Sequence, residues 1–314
     1  MENTIYDVMI LGAGPAGLAA GLYAGRSCLS TLIIEKGQDG GQIAQTDEIE
    51  NYPGQMVEGE SGASLVARMA EQAAKFGAVR ARDTIKSITL EGDIKVLKSR
   101  RKEYRGKTLI LATGASPRPI GCRNEKMYVG SGISYCATCD GMFYQGKEVY
   151  VVGGGDAAVE EAMFLTKFAR KVTIIHRRDQ LRAAKSIQEK AFRNEKIGFL
   201  WDSVLEEVSG EGVVQKLTVR NVKTDEVTTI EADPADGIIG VFGFIGMEPN
   251  TKLFEGLLPL ENGYIRTDED MHTPIPGIYA AGDLRVKSLR QVITAAADGA
   301  IAAMQAEKYL AEME

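Results

Sequence analysis

Residues 7–18, D-V-M-I-L-G-A-G-P-A-G-L, decide the fold of this 314-residue chain. A short apolar run, typical of a buried parallel strand, leads into G-x-G-x-x-G at Gly12, Gly14 and Gly17, and a helix-like run follows. A second strand-like stretch, T-L-I-I-E, ends at Glu35. This order predicts a dinucleotide-binding unit in which the glycines admit a pyrophosphate, the helix N-terminus faces it and Glu35 binds the ribose hydroxyls.

The same pattern recurs later in the chain. Residues 148–152, E-V-Y-V-V, read as a strand, G-G-G-D-A-A at 153–158 opens a helix, and K-V-T-I-I at 171–175 reads as the second strand. Ala158 stands in place of the third glycine and is small enough for close packing of helix on strand. We therefore expect a second dinucleotide-binding unit.

The second unit differs at the position of the acid. His176, Arg177 and Arg178 follow its second strand, and Arg182 comes shortly after. An acid would repel a 2′-phosphate, whereas arginines bind it with charge-assisted hydrogen bonds, so the sequence predicts NADPH here. The alternative interpretation is that these arginines are an ordinary solvated charge run.

Two later segments belong with the first unit. Residues 107–114, K-T-L-I-L-A-T-G, and 277–283, G-I-Y-A-A-G-D, are apolar strands that end in small-residue turns, as in proteins that bind FAD. A last helix over residues 289–311 would place its N-terminus near the flavin and stabilise negative charge there. We expect an α/β protein with two Rossmann-like dinucleotide-binding domains, the NADPH domain inserted into the FAD domain.

The predicted FAD-binding domain comprises residues 1–116 and 248–314, and the inserted NADPH-binding domain comprises residues 117–247. The junctions at 114–121 and 243–250 are rich in glycine and proline, as exposed linkers often are. The cysteines at 136 and 139 and the NADPH site both lie in the inserted domain, and both would have to reach one flavin in the other domain. We therefore expect the domains to rotate about these junctions during the reaction. Residues 204–233 alternate polar and apolar side chains and predict a small antiparallel sheet.

Composition narrows the class of protein. The net charge of −6 argues against nucleic acid as a partner and fits a small-molecule or protein partner. The longest apolar run has about ten residues, and a membrane-spanning helix needs roughly 20. The first residues contain no basic region or cleavage site, so we expect a cytoplasmic protein without a membrane segment.

A pair of cysteines in C-A-T-C-D, Cys136 and Cys139, lies in the inserted domain with Asp140 directly after it. Zinc would need four ligands, and Cys28 and Cys122 form no second C-x-x-C; a structural bridge is disfavoured in a reducing compartment. A redox dithiol fits a chain that binds a flavin and NADPH. Asp140 either transfers a proton or only caps a helix.

The chain resembles low-molecular-weight bacterial thioredoxin reductases. The motifs that carry the resemblance span nearly the whole chain: G-A-G-P-A-G-L, G-G-Q-I, E-N-Y-P-G, C-A-T-C-D, G-G-G-D-A-A-V-E-E-A, H-R-R-D-Q-L-R, G-M-E-P-N-T and A-G-D-L-R-V-K-S-L-R-Q-V. The resemblance implies a homodimer with one FAD per chain, NADPH as electron donor and thioredoxin as acceptor. It assigns the flavin-facing role to Cys139 and the attack on thioredoxin to Cys136.

One residue departs from this family. Gly243 stands where the family more often has a branched residue, and we expect looser packing there. Three alternatives remain open: a relative that uses reduced ferredoxin, which would lack the arginines, a reductase for a peroxidase-type or other thioredoxin-like partner, and a flavin-binding redox sensor.

The predicted site residues fall into three sets. The catalytic set is Cys136, Cys139 and Asp140. The FAD set is Gly12, Gly14, Pro15, Ala16, Gly17, Glu35, Lys36, Gly41, Gln42, Asn51, Ala112, Thr113, Gly114, Gly282, Asp283, Arg290, Gln291 and Val292. The NADPH set is Gly153, Gly155, Asp156, Ala157, His176, Arg177, Arg178 and Arg182, and no metal ligands are expected.

Overall fold

A computed structural model describes residues 4–45, 49, 52–56 and 60–313 of the chain, and for Gln45, Thr138 and Cys139 it describes the backbone only. The strands are β1 (Ile5–Leu11), β2 (Thr31–Glu35), β3 (Val79–Arg82), β4 (Ser87–Glu91), β5 (Ile94–Lys98), β6 (Glu103–Leu111), β7 (Ala115–Pro117), β8 (Ile133–Ser134), β9 (Glu148–Gly153), β10 (Lys171–Ile175), β11 (Ile197–Leu200), β12 (Ser203–Ser209), β13 (Lys216–Asn221), β14 (Val227–Glu231), β15 (Gly240–Phe244), β16 (Met247–Pro249), β17 (Leu260–Glu261), β18 (Tyr264–Ile265) and β19 (Ile278–Ala280). The helices are α1 (Pro15–Arg26), α2 (Gly62–Lys75), α3 (Glu125–Tyr128), α4 (Ala137–Asp140), α5 (Asp156–Leu165), α6 (Lys185–Phe192) and α7 (Val292–Ala311), with 3-10 turns at Gly41–Gln45, Gly141–Tyr144 and Lys252–Phe254.

The chain divides into two compact units. The first unit consists of Met1–Ser116 and Glu248–Glu314, and the second consists of Pro117–Met247. Each unit is built around a parallel sheet with helices packed against it, which confirms the predicted α/β class with two Rossmann-like units. Strands β7 and β16, at the two junctions, pair with each other.

In the first unit the sheet has the order β3-β2-β1-β6-β5-β4, and β19 pairs with the carboxyl half of β6. Strands β1, β2, β3, β6 and β19 are parallel. Val8 and Ile10 pack into the cluster formed with α1 and α7, whereas Met9 and Leu11 pack into the cluster on the other face. Burial on both faces explains why this strand is an unbroken apolar run in the sequence.

In the second unit the parallel sheet has the order β11-β10-β9-β15-β8. Strand β9 again alternates between two clusters, with Val149 and Val151 on one face and Tyr150 and Val152 on the other. Strands β12, β13 and β14 form an antiparallel sheet, as the alternation over residues 204–233 predicted.

Element boundaries shift modestly from those read in the sequence. Helix α7 begins at Val292, so Arg290 and Gln291 precede the helix instead of lying in its first turn. Thr294 accepts a hydrogen bond from the Gln291 amide at 3.2 Å, which stops the helix from extending to residue 289. Among the described helices, none has the length and apolar character needed to cross a membrane.

Candidate active site

A cavity in the first unit lies where β1, β6 and β19 end. Because these strands are parallel, their carboxyl ends meet at one edge of the sheet, where open α/β sheets bind ligands. The predicted residues that line it are Gly14, Pro15, Ala16, Glu35, Lys36, Gly41, Gln42, Ala112, Thr113, Gly114, Gly282, Asp283, Arg290, Gln291 and Val292. Gly12 and Gly17 lie beneath the lining, and Asn51 is outside the described residues.

The glycine turn after β1 is packed too closely for side chains. A Cβ at Gly12 would collide with the carbonyl oxygen of Ala112, and a Cβ at Gly17 would collide with that of Gly12. Helix α1 begins at Pro15, and Gly14 at its N-cap provides no side-chain hydrogen bond. The first-turn amides of α1 therefore have no side-chain cap and suit a phosphate group.

The Glu35 carboxylate braces this turn. It accepts hydrogen bonds from the Ala13 amide at 2.9 Å and from the Gly37 amide at 3.0 Å. The side chain thus links the end of β2 to the glycine turn after β1, at the wall of the cavity. Its contact with a ribose remains a prediction.

Two polar groups at the cavity have no hydrogen-bond partner among the described residues, Asp283 Oδ1 and Arg290 Nε, and both atoms are buried. Burial raises the pKa of Asp283, Lys287 and Arg290 oppose that rise, and Asp298 adds to it. The Arg290 guanidinium lies over the Tyr264 ring, 4.3 Å from its centroid. Buried groups without partners are costly, so a polar ligand such as FAD, which brings ribityl hydroxyls and ring heteroatoms, fits this cavity.

Asn250 lines the same cavity and was missed from the sequence. Its side-chain amide donates to the Thr113 carbonyl at 2.9 Å, and its Oδ1 accepts from the Ser116 hydroxyl at 3.0 Å. Its backbone N–H also donates to the Gly114 carbonyl at 2.9 Å. The residue lies in the motif G-M-E-P-N-T, which carries part of the family resemblance and overlaps a predicted junction, so a signal was present although no site role was assigned to Asn250.

A second cavity lies in the inserted unit, at the carboxyl ends of β9, β10 and β15. Its lining includes Gly153, His176, Arg177 and Arg182 from the predicted set. The remaining lining residues are Arg118, Ile120, Val152, Gly154, Ile175, Ser203, Val204, Leu205, Phe244 and Ile245. Gly155, Asp156, Ala157 and Arg178 are not part of this lining.

His176 is buried at the base of the cavity, and its imidazole occupies the space that a side chain at Gly154 would need. Its Nε2 has no hydrogen-bond partner among the described residues. Burial lowers the pKa of His176, and the charges of Arg182, Arg178 and Arg177 lower it further. The imidazole is therefore held neutral in a positively charged surrounding, where an anion would be attracted.

The arginines lie in a loop that folds back over the glycine turn. The Arg182 amide donates to the Gly154 carbonyl at 2.7 Å. The Asp156 carboxylate accepts from the Ala184 amide at 2.7 Å, so it anchors the far end of this loop. This loop brings Arg177 and Arg182 to the cavity and supplies the positive wall that a 2′-phosphate of NADPH fits.

Cys136 directly precedes the single turn of α4, and Cys139 lies within that turn. Cys136 is disulfide-bonded, whereas Cys28 and Cys122 are free thiols. Asp140 ends α4, and its amide donates to the Cys136 carbonyl at 3.3 Å. At the 3-10 turn that follows, the Asp140 side chain makes no capping hydrogen bond, so the capping interpretation is wrong for this turn. Burial of the Tyr144 phenol, together with the nearby charge of Asp140, raises the pKa of Tyr144 to about 12.

Two apolar side chains that follow the cysteine pair in the sequence are strongly exposed. Met142 and Phe143, in the 3-10 turn after Asp140, are 64% and 74% exposed. No group of three or more His, Cys, Asp and Glu side chains is placed to hold a metal ion in the part of the chain that the structure describes.

The sequence and the fold match a known family. Residues 6–299 match the model of the pyridine nucleotide-disulphide oxidoreductases. The chain is 57% identical to a thioredoxin reductase of Peptoclostridium litorale, over 100% of this chain and 99% of that protein. It is 49% identical to one of Bacillus subtilis strain 168, over 100% of this chain and 97% of that protein.

Solved structures agree. The thioredoxin reductase of Lactococcus lactis has a TM-score of 0.85 at 45% identity and covers 98% of this chain and 99% of its own. The thioredoxin reductase of T. acidophilum has a TM-score of 0.82 at 30% identity and covers 99% of this chain and 100% of its own. The chain therefore belongs to the pyridine nucleotide-disulphide oxidoreductase family and, within it, to the group of low-molecular-weight thioredoxin reductases. The family depends on FAD and NADPH, which confirms the predicted cofactors.

Proposed function

We propose that this protein is an NADPH-dependent flavoenzyme that reduces the disulfide of thioredoxin. The observation that carries the proposal is the presence, in one chain, of two nucleotide cavities and a disulfide-bonded Cys136 beside an acid. Relatives at 57% and 49% identity over the whole chain are thioredoxin reductases. The intact arginine loop favours NADPH over ferredoxin as donor, and the ferredoxin alternative is not favoured by the comparisons.

Each predicted residue set has a role in this proposal. The cavity of the first unit would hold FAD through the α1 N-terminus, Asp283 and Arg290, and the cavity of the second unit would hold NADPH through Arg177 and Arg182. Once bound, the two cofactors supply hydride and electron transfer. The protein's own contribution is then to hold the cofactors, to present Cys136 to thioredoxin and to supply a proton through Asp140.

A donor comparison tests the function. The FAD-loaded protein is supplied with NADPH, NADH or reduced ferredoxin, and reduction of oxidised thioredoxin is followed by insulin precipitation. We expect rapid turnover with NADPH and slow turnover with NADH. If thioredoxin were reduced with reduced ferredoxin as donor and not with NADPH or NADH, the result would support the alternative in which ferredoxin is the donor. Absence of turnover with every donor, with flavin still reduced by NADPH, would point to a different acceptor.

Replacing Arg177 by alanine should raise the KM for NADPH roughly ten- to hundredfold, since one charge-assisted phosphate contact contributes about 1.5–3 kcal/mol. The KM for NADH, which has no 2′-phosphate, should barely change. Arg193→Ala is the matched control, because Arg193 is an exposed arginine of the same unit that does not line the cavity. An equal loss with both nucleotides would contradict the assignment of Arg177 to the phosphate.

We also propose that the inserted unit rotates relative to the first between the two half-reactions. Chain order supports this, because the cysteine pair and the arginine loop lie in one unit, both must reach one flavin, and the chain passes between units at only two junctions. An engineered disulfide that locks the arrangement in which the cysteine pair lies against the flavin should abolish flavin reduction by NADPH, and a reductant should restore it. Normal turnover in the locked protein would contradict the rotation.

We further infer that the protein acts in the cytoplasm as a homodimer. A pair of cysteines that cycles between disulfide and dithiol suits a reducing compartment. The dimer follows from the resemblance to the thioredoxin reductases, and measuring the mass in solution would test it.

A further inference from the structure

Glu125, at the start of α3, is a buried carboxylate that the proposed reaction does not use. It is 7% exposed. Its oxygens accept hydrogen bonds from the backbone amides of Ile120, at 2.7 Å, and Gly121, at 2.8 Å. The Tyr135 hydroxyl donates to the same carboxylate. A buried carboxylate is costly unless several donors surround it, so these three bonds hold the group and its partners in one arrangement.

The Tyr135 ring lies against Gly243. Strand β8 pairs with β15 so that Ser134 is opposite Phe242, and the next residues along the two strands are Tyr135 and Gly243. A Cβ at Gly243 would lie 2.7 Å from Tyr135 Cε1 and 2.8 Å from Ile120 Cγ1. The expectation of looser packing at Gly243 is therefore wrong: the missing side chain makes room for the ring, which packs directly on the backbone.

Tyr135 directly precedes Cys136, and the backbone of Cys136 is held as well. Its amide donates to the Ser134 hydroxyl at 3.0 Å, and that hydroxyl donates to the Cys136 carbonyl at 3.1 Å. Ser134 is itself buried in β8. Ser134 thus holds the Cys136 backbone at the end of β8. Glu125 and Gly243 hold the Tyr135 side chain, so both residues before Cys136 contribute to fixing its position.

We propose that Glu125, Tyr135 and Gly243 form a clamp that positions Cys136 for its reaction with a substrate disulfide. All three residues are positioning residues, since they act through the backbone that leads into Cys136. Disulfide exchange needs the attacking and attacked sulfurs in line, so a small change in the path of this backbone should lower the rate. The proposal rests on the redox role of Cys136 in the proposed function.

The first test is Tyr135→Phe, which keeps the ring and removes the hydroxyl donor to Glu125. Hydrogen bonds to a charged group contribute enough to change rates about tenfold. We expect the kcat for thioredoxin to fall about tenfold, while flavin reduction by NADPH stays unchanged. The rate of iodoacetamide alkylation at Cys136 in the reduced protein, read by peptide mass, should change at least about threefold. Alkylation requires neither thioredoxin nor NADPH, so it tests the clamp even if the proposed function is wrong.

Tyr128→Phe is the matched control. Tyr128 is a buried tyrosine of the same unit whose hydroxyl donates to the Gly210 carbonyl at 2.8 Å. Tyr128 shares α3 with Glu125, but its replacement removes a phenol hydrogen bond to Gly210 and none of the bonds of the clamp, so stability should fall with no change in Cys136 alkylation. If Tyr135→Phe only lowers stability in the same way, the clamp proposal is overturned.

A double-mutant cycle provides the second test. Gly243→Ala should push the ring off Glu125 and alter the alkylation of Cys136 about as much as Tyr135→Phe does. Once Tyr135→Ala has removed the ring, the added methyl group meets only the Ile120 side chain, so Gly243→Ala should change alkylation much less than it does in the parent protein. Additive effects of the two substitutions on alkylation would show that Gly243 and Tyr135 act independently and would overturn the clamp.

Discussion

Cys136→Ser should abolish thioredoxin reduction while NADPH still bleaches the flavin absorbance. The attacking group in disulfide exchange is a thiolate, and a serine hydroxyl is not appreciably ionised near neutral pH. Cys136 is the half of the pair that the family resemblance assigns to thioredoxin, and Cys139 remains available to the flavin. The measurement combines anaerobic rapid mixing with NADPH, read by flavin absorbance, and steady-state turnover with thioredoxin.

Cys28→Ser is the control for this substitution. Cys28 is an exposed free thiol in the first unit, outside the FAD cavity, so its loss should leave both measurements unchanged. Thioredoxin turnover that survives Cys136→Ser, in a protein that keeps its flavin spectrum, would mean that another thiol attacks the substrate. Loss of flavin reduction in the same variant would contradict the proposed order, in which NADPH reduces the flavin before the cysteine pair takes part.

Asp140→Asn should slow electron transfer to the disulfide by about 10²–10⁴, the usual range for loss of an acid–base group. Asparagine has nearly the same shape but cannot donate or accept the proton that thiol chemistry moves. The Asp140 side chain makes no capping hydrogen bond at the 3-10 turn that follows it, which favours the acid–base role over a capping role there. Rapid mixing of the FAD-loaded variant with NADPH should show normal flavin reduction followed by slow reoxidation by thioredoxin.

Asp225→Asn provides the comparison for Asp140. Asp225 is a strongly exposed carboxylate of the same unit that pairs with Arg220, so neutralising it changes charge without touching the cysteine pair. Its turnover should match that of the parent protein. If Asp140→Asn were equally active, then Asp140 would have no acid–base role, and the proton would have to come from water or from thioredoxin.

Much of the fold could be predicted because its signals are local. A strand buried on both faces is an apolar run, and a glycine turn packed against a neighbouring carbonyl tolerates no side chain, so β1, Gly12 and Gly17 were visible in the sequence. The arginine loop was visible for a similar reason: a 2′-phosphate needs cations at one position after the second strand.

Contacts between residues that are far apart in the sequence could not be predicted from it. Asn250 joins the cavity only because the chain returns, after the inserted unit, to the turn that contains Thr113. Arg178 is not part of the lining that contains Arg177, although the two are neighbours in the sequence. The clamp of Glu125 and Tyr135 depends on the pairing of β8 with β15, which two-residue strands do not reveal. Gly243 was recognised in the sequence as unusual for the family. The reason for a glycine at this position became clear only from the structure, because it depends on where the Tyr135 ring lies.

Counting thiols tests most directly whether electrons from NADPH reach the cysteine pair and then thioredoxin. The chain has four cysteines, of which Cys28 and Cys122 are free thiols. The oxidised, FAD-loaded protein, denatured and titrated anaerobically, should show two thiols per chain. Prior treatment with NADPH should raise the count to four. After an excess of oxidised thioredoxin has been added and the reductase has been separated from thioredoxin, the count on the reductase should return to two. A count that stays at two after NADPH, with the flavin fully reduced, would contradict the proposed electron path.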